Sequence, residues 1–245
     1  MAQTTYENPG RPEMTMSDLR FTMPDDSERR VAVRHLLNAG YAGRDTQKVQ
    51  QHVDELAALG VPAPARTPTL YPLPALLASQ APAVEVPHAH TSGEAEWALV
   101  VGDDTEDLMI TAACDHTDRD LEAHGVAWSK QAGPDILGDR AWYLADVADE
   151  LDRFALRAFV SHDPAETETQ IQDGLLAELL PPSSWVERLE AASLLRPGTV
   201  LLSGTIPMLP GVDQFGDAWR VELVDPRGHA SSLAYRVEPL PEPWQ

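Results

Sequence analysis

Gly93-Glu94-Ala95-Glu96-Trp97-Ala98-Leu99-Val100-Val101-Gly102 sets two carboxylates inside an otherwise apolar run. A strand alternates its side chains between faces, so Glu94 and Glu96 share one face. The far end reads as a strand buried on both faces, and Leu108 to Cys114 reads as its hairpin partner across Gly102-Asp103-Asp104. Two like charges so close together are costly to bury: they must be exposed, protonated, salt-bridged or neutralised by a cation. Taken alone, an exposed strand edge accounts for them.

Cys114-Asp115-His116-Thr117-Asp118-Arg119-Asp120 follows the partner strand and puts Asp115 at a strand end, where ligands project. If the two strands pair, Asp115 approaches Glu94 and Glu96, a set of three hard oxygen donors that suits Mg²⁺ or Mn²⁺. His116 is expected to point away from Asp115. Asp118 and Asp120 are expected to pair with Arg119 or to sit as charges at a helix N-terminus. Downstream, Trp128-Ser129-Lys130-Gln131 places a lysine just after an apolar turn. Most lysines are merely solvated, but a fixed ammonium beside a cation holds a carboxylate or an enolate oxygen. Gly198 to Pro207 runs as a strand into Gly204-Thr205, whose amides and hydroxyl suit an oxyanion, or which is an ordinary strand and turn.

The 245 residues, 43% hydrophobic, suffice for one substantial core, read as a domain over 19–245 behind a disordered, polar N-terminal tail over 1–18. The single cysteine, Cys114, excludes an internal disulfide framework. Neither a membrane span nor a signal-peptide pattern is visible, so a cytoplasmic protein is expected. A formal charge of -21 repels phosphate backbones and anionic lipid, so neither nucleic acid nor membrane is an expected partner.

Leu19 to Met23 and Arg30 to Val33 alternate around a Pro24-Asp25-Asp26-Ser27 turn and predict a hairpin. Asp45 or Thr46 starts a helix with Val49, Val53 and Leu56 as its apolar stripe, ending near Gly60 and Pro62. The proline-spaced stretch from Val61 to Pro87 is expected to run extended. Asp118 to His124 suits a short helix, Phe154 to Val160 a strand, and Leu175 to Leu180 and Trp185 to Leu195 amphipathic helices. Val200 to Leu202, Ala218 to Val224 and Leu233 to Val237 are β-rich, which gives a sheet-dominated α+β domain.

In this order, the Glu-x-Glu strand, the Asp115 to Asp120 turn, Lys130 and the late Gly-Thr strand resemble the fumarylacetoacetate hydrolase superfamily over roughly residues 40–237. The likeness is strongest to a branch of that superfamily known as a domain of unknown function. The resemblance implies an α+β mixed β-roll, barrel-like, of the fumarylacetoacetase C-terminal-domain type, with a few peripheral helices and assembly as a homodimer. By the same resemblance Glu94, Glu96 and Asp115 hold Mg²⁺ or Mn²⁺, Lys130 contacts substrate, and Thr205 binds its carboxylate or carbonyl. His52-Val53-Asp54-Glu55 looks like the family's His-x-x-Glu pair on a lid, in which Glu55 orients His52 and His52 activates water. Tyr41 and Arg44 stand where the family's substrate contacts begin, although Gly40-Tyr41-Ala42-Gly43-Arg44 replaces its usual Asn-Tyr. Gln131-Ala132 also replaces the aromatic and aspartate that follow the family's lysine, and Ile206 is inserted before Pro207. The implied activity is hydrolysis of a C–C bond in a small anionic 1,3-dicarbonyl or acylpyruvate-like acid. Decarboxylation, isomerisation, hydration or dehydration of a 2-oxo acid on the same scaffold is the alternative, and a non-catalytic ligand-binding member is the third.

Overall fold

The computed structural model describes residues 17–58, 60–163 and 167–242, apart from the side chains of His52 and Leu56. The tail expected to be disordered therefore lies almost wholly outside the described residues. In chain order the elements are β1 (Asp18–Thr22), β2 (Glu28–Ala32), β3 (His35–Gly40), α1 (Thr46–Ala58), β4 (Thr69–Leu73), β5 (Ala78–Ser79), β6 (Ala83–Val86), β7 (Thr91–Val101) and β8 (Leu108–Asp118). They continue as α2 (Arg119–Glu122), α3 (Val126–Ala132), β9 (Asp135–Leu137), β10 (Trp142–Tyr143), α4 (Leu144–Val147), β11 (Ala155–Ser161), β12 (Thr169–Leu175), α5 (Pro182–Ala191), β13 (Thr199–Leu202), β14 (Ala218–Val224) and β15 (Ala230–Pro239).

The central pair is β7 and β8, antiparallel over their full lengths, with Glu94 directly opposite Asp115. Ala95, Trp97 and Leu99, with Ile110, Ala112 and Cys114 across the ladder, pack against Leu156, Ala158, Trp219 and Val221 of a second sheet. The opposite face presents Ala98, Val100, Met109 and Ala113 to Leu19, Phe21 and Val31 of the β1–β2 hairpin. Burial on both faces is why this hairpin reads as nearly continuous apolar sequence. The first sheet runs β4-β3-β13-β7-β8-β9-β5, with β10 also on β8, and the second runs β12-β11-β14-β15-β6.

The first sheet is strongly curled. Three strands separate β3 from β9, a spacing of roughly 19 Å in a flat sheet at about 4.8 Å per strand. Yet Asn38 Nδ2 of β3 lies 3.4 Å from Asp135 Oδ1 of β9. The result is an α+β half-barrel with few, peripheral helices, and its concave interior carries the polar groups that the flanking cores cannot accept.

Two local expectations are corrected. Leu175 to Leu180 is not a helix: β12 ends at Leu175 and a single 3-10 turn, Leu176–Glu178, follows. β12 claims Leu175, and the Glu178 carboxylate accepts from the Leu175 amide at 2.9 Å, closing the turn ahead of Pro181-Pro182. Lys130 lies within α3 and not after a turn. The helix packs tightly at its end, since a Cβ on Gly133 would sit 1.7 Å from the His116 carbonyl oxygen. Gly133→Ala is therefore expected to cost about 3 kcal/mol by forcing backbone apart; an unchanged urea midpoint would contradict that packing.

Candidate metal centre and active site

Glu94, Glu96 and Asp115 converge where β7 meets β8, and each offers a carboxylate oxygen within 4.8 Å of the others. The register explains it: Glu94 faces Asp115 across the ladder, and Glu96 is two residues along on the same face. Glu96 and Asp115 are fully buried. Glu96 Oε2 accepts the Gly204 amide at 2.7 Å, and Asp115 Oδ2 accepts from Lys130 Nζ. Glu94 accepts from Arg119 Nη1 at 2.9 Å and from Lys130 Nζ at 3.3 Å. Glu96 Oε1 and Asp115 Oδ1 have no hydrogen-bond partner despite their burial. Unpartnered buried carboxylate oxygens are expensive, and a hard divalent cation is the ligand this donor set fits.

The electrostatics agree. Burial pushes the Glu96 carboxyl well above its ordinary range, helped by the charges of Asp115 and Glu94 and opposed by Lys130. Asp115 is likewise raised, by burial first and then by Glu94, against Lys130. Burial also pushes on Glu94, but Lys130 and Arg119 outweigh it and hold this carboxyl at about 2. Lys130 and Arg119 are the cations set against the three carboxylates, and Arg119 is shared with Glu122.

Of these groups Glu94, Arg119 and Lys130 line a cavity of about 930 Å³, together with Tyr41, Arg44, Glu55 and Thr205 among others. Glu55 reaches it from α1; the His52 backbone lies on the same helix, while its side chain lies outside the described residues. Burial pushes the Tyr41 hydroxyl up to about 12, and its backbone holds a φ of 54°, a conformation sparsely used by non-glycine residues. Thr205 lines the cavity, but its hydroxyl donates to Ala95 O at 2.8 Å and accepts from Gln172 Nε2 at 2.9 Å. The Arg44 guanidinium is held by both oxygens of Asp152, at 2.9 and 2.7 Å, and by Leu179 O.

His116 points away from Asp115, as the alternation requires, and shares hydrogen bonds with Tyr235 Oη and Thr91 Oγ1, each 2.9 Å. Asp118 caps α2 by accepting from the Leu121 amide at 3.0 Å, one of its two expected roles. Arg119 does not pair with Asp118 or Asp120. It turns inward to Glu94, Glu122 and Ser92, because the end of β8 aims it at the buried charge. The motif named Arg119 without its role. Asn38 and Asp135 were not anticipated at all: both are fully buried in the curl, and Asp135 pairs in register with Asp115. Asn38 in the middle of Leu36-Leu37-Asn38-Ala39 was the available signal.

Burial, with the nearby Arg119 charge, lowers His116 from 6.5 to about 3. The unfolded chain therefore takes up the proton first, so this stabilisation is present above pH 6.5 and is lost as pH falls toward 3, by up to about 1.4 kcal/mol per unit. His116→Gln is expected to flatten the pH dependence of unfolding free energy between pH 6 and 4 by that slope. An identical slope in the variant would contradict the assignment.

Among the described residues no helix is long and apolar enough to cross a membrane. No curated protein matches the chain at a significant level. Its fold matches fumarylpyruvate hydrolase from Pseudomonas aeruginosa, solved with Mn²⁺ and pyruvate, at TM-score 0.64 and 17% identity over 94% of this chain and 100% of that one. A 5-carboxymethyl-2-hydroxymuconate delta-isomerase from Mycobacterium smegmatis matches at 0.61 and 19%, covering 92% and 99%. A yeast fumarylacetoacetate hydrolase family protein matches at 0.60 and 16%, covering 87% and 96%. The family model of the proteins of unknown function termed DUF2848 matches residues 39–235. With that match over most of its length, the chain belongs to the DUF2848 family, built on the fumarylacetoacetate hydrolase fold.

Proposed function

We propose that the chain is a divalent-metal-dependent enzyme that hydrolyses a C–C bond in a small acylpyruvate-like oxo-acid. The observation that carries this reading is the carboxylate triad, two of its buried oxygens unpartnered, whose Glu94 lines, together with Lys130, a cavity of about 930 Å³. The Mn²⁺ and pyruvate held by the Pseudomonas aeruginosa protein of the same fold support it. Glu94, Glu96 and Asp115 would hold Mg²⁺ or Mn²⁺, which when bound supplies a Lewis acid for the substrate's oxygens.

The chain's own groups do the rest. Lys130 Nζ, fixed against Glu94 and Asp115, presents a desolvated positive charge to the oxygen on which enolate charge develops. Its burial would lower its basicity, but the surrounding carboxylates Asp115, Glu94 and Glu96 raise it well above the ordinary lysine value, so it acts as a charge and not as a base. Arg119 holds Glu94 in place from behind. On α1, Glu55 with His52 takes a proton from water, whose oxygen bonds to the distal acyl carbonyl carbon. The C–C bond to the pyruvate methylene breaks, its electron pair becomes the enolate, and carbon protonation yields pyruvate and a carboxylic acid.

The test is chelator-treated protein given Mn²⁺ and acetylpyruvate or fumarylpyruvate, with pyruvate measured by a coupled reduction. One pyruvate per substrate consumed is expected, with kcat lowered about 100-fold in Glu55→Gln. Carbon dioxide release unaffected by Glu55→Gln would favour decarboxylation, which needs no activated water, and no consumption of either acid would count against the proposal.

A further inference from the structure

Beside the two glutamates, the edge of β7 is completed by side chains and not by a strand. β13 pairs with β7 only at Ala98, Leu99 and Val100, and beyond Leu202 the chain turns away through Gly204, whose φ is 84°. Further along that edge, Ser203 Oγ accepts the Trp97 amide at 3.1 Å. Thr205 Oγ1 donates to Ala95 O at 2.8 Å, and Gln172 Oε1 accepts the Ala95 amide at 2.8 Å. Ala95 stands between Glu94 and Glu96, so these last two bonds hold the backbone that spaces two of the three carboxylates.

Gln172 reaches this edge from the second sheet, and a bulge aims it. Where β11 pairs with β12, Ala158 faces Gln172 and Phe159 faces Gln170, which leaves Ile171 unpaired. Strict alternation would send Ile171 and Gln172 to opposite faces, whereas the extra residue lets both be fully buried. Both protons of the carboxamide are then used: Nε2 donates to Thr205 Oγ1 at 2.9 Å and to Ile206 O at 2.6 Å. These partners dictate its orientation, because the Ala95 N–H needs an acceptor and the Ile206 carbonyl a donor. The Leu209 amide adds a second strap to β12, donating to Ile171 O at 2.7 Å. The strapped segment begins at Gly204, whose amide donates to Glu96 Oε2 at 2.7 Å. One side chain therefore fixes both the backbone between the glutamates and the segment that orients Glu96.

Resting on the reading of Glu94, Glu96 and Asp115 as the cation site, we infer that Gln172 is a positioning residue that sets the affinity of the triad for its divalent ion. It bonds to none of the three carboxylates and acts through Ala95 and the segment from Gly204 to Ile206. A small divalent ion tolerates little departure from its preferred ligand geometry, so a slackened Ala95 backbone costs affinity even with all three carboxylates present. Partners of this kind, one step removed from the ion, are worth about 10- to 100-fold in metal affinity.

The probe is Mn²⁺ alone, titrated by calorimetry into chelator-treated wild type, Gln172→Met, Thr205→Val and Ile171→Val, each checked for folding by circular dichroism. The electron paramagnetic resonance spectrum of each Mn²⁺ complex reports the symmetry of the site. Gln172→Met keeps the side chain's length and removes its three polar contacts. Thr205→Val removes the hydroxyl that stands between Gln172 and Ala95, and Ile171→Val loosens packing at the bulge while leaving every polar contact. Gln172→Met and Thr205→Val are expected to raise the Mn²⁺ Kd about 10-fold or more and to change the spectrum, with Ile171→Val staying within about twofold of wild type. An unchanged Kd in Gln172→Met, or in Thr205→Val should Gln172→Met not fold, overturns the inference and leaves the triad standing. An equal loss in Ile171→Val also overturns it, since general loosening would then account for the effect. No Mn²⁺ binding by wild type removes the cation site itself, and the inference falls with it.

Discussion

Lys130→Met is expected to destabilise the metal-free protein by about 3–5 kcal/mol, the usual cost of removing one partner from a buried charge cluster. The Lys130 side chain is 6% exposed and the Asp115 side chain it pairs with is fully buried. Without the ammonium, Asp115 has no hydrogen-bonding cation and Glu94 keeps only Arg119. The wild-type contribution spans the working pH range: a lysine whose folded value is raised above 10.5 stabilises fully below 10.5 and loses that contribution only as pH rises through the folded value. Because the loss is electrostatic, Mn²⁺ is expected to restore much of it, and more Mn²⁺ should restore more. Equilibrium urea unfolding with and without Mn²⁺ measures both. A Lys130→Met protein as stable as wild type in chelator would show that the carboxylates do not depend on this charge. Turnover is expected to fall by about 10²-fold or more even when metal is saturating, since one fixed electrostatic donor is gone from the reacting centre.

Glu96→Gln is expected to move stability and function in opposite directions. In the metal-free protein Glu96 is a carboxyl raised by burial and by Asp115 and Glu94. A group of this kind stabilises below its unfolded value and costs stability as pH rises from there toward the folded one. At neutral pH its replacement by an uncharged amide relieves that cost, on the order of 1 kcal/mol. The amide oxygen still accepts from Gly204, and its NH₂ meets the neighbouring carboxylates. The same change removes one of three anionic oxygen ligands, so metal-dependent turnover is expected to drop by about 10³-fold. A variant both less stable in chelator and fully active would contradict the placement of Glu96. Exchanges of stability for function of this sort mark sites kept strained for their chemistry.

Much of this was legible because the deciding contacts are local. β7 and β8 are long, apolar and joined by a short turn, so their pairing and the meeting of Glu94, Glu96 and Asp115 followed from strand alternation. The β1–β2 hairpin and α1 carried ordinary turn and cap chemistry in Pro24 to Ser27 and in Asp45. β12 was missed because Gln170, Gln172, Asp173 and Gly174 leave Ile171 as its one fully apolar inward residue, a pattern too polar to read as a strand. Those polar groups serve the site: Gln172 ties the Ala95 amide to Thr205 and Ile206. The meeting of Asn38 with Asp135, 97 residues apart, depends on how tightly the sheet curls, and no local pattern encodes curvature. Arg119 illustrates the remaining gap. Its neighbours Asp118 and Asp120 were the partners nearest in sequence, while its partners are Glu94 on the adjacent strand and Glu122 one turn further on.

The central claim is that the triad holds a divalent cation, and titration calorimetry of chelator-treated protein with Mn²⁺ tests it most directly. Saturable binding near one ion per chain is expected in wild type, and its loss in Glu94→Ala with Glu96→Ala, in a variant shown by circular dichroism to remain folded. Absence of binding in wild type, or undiminished binding in the double variant, would contradict the claim.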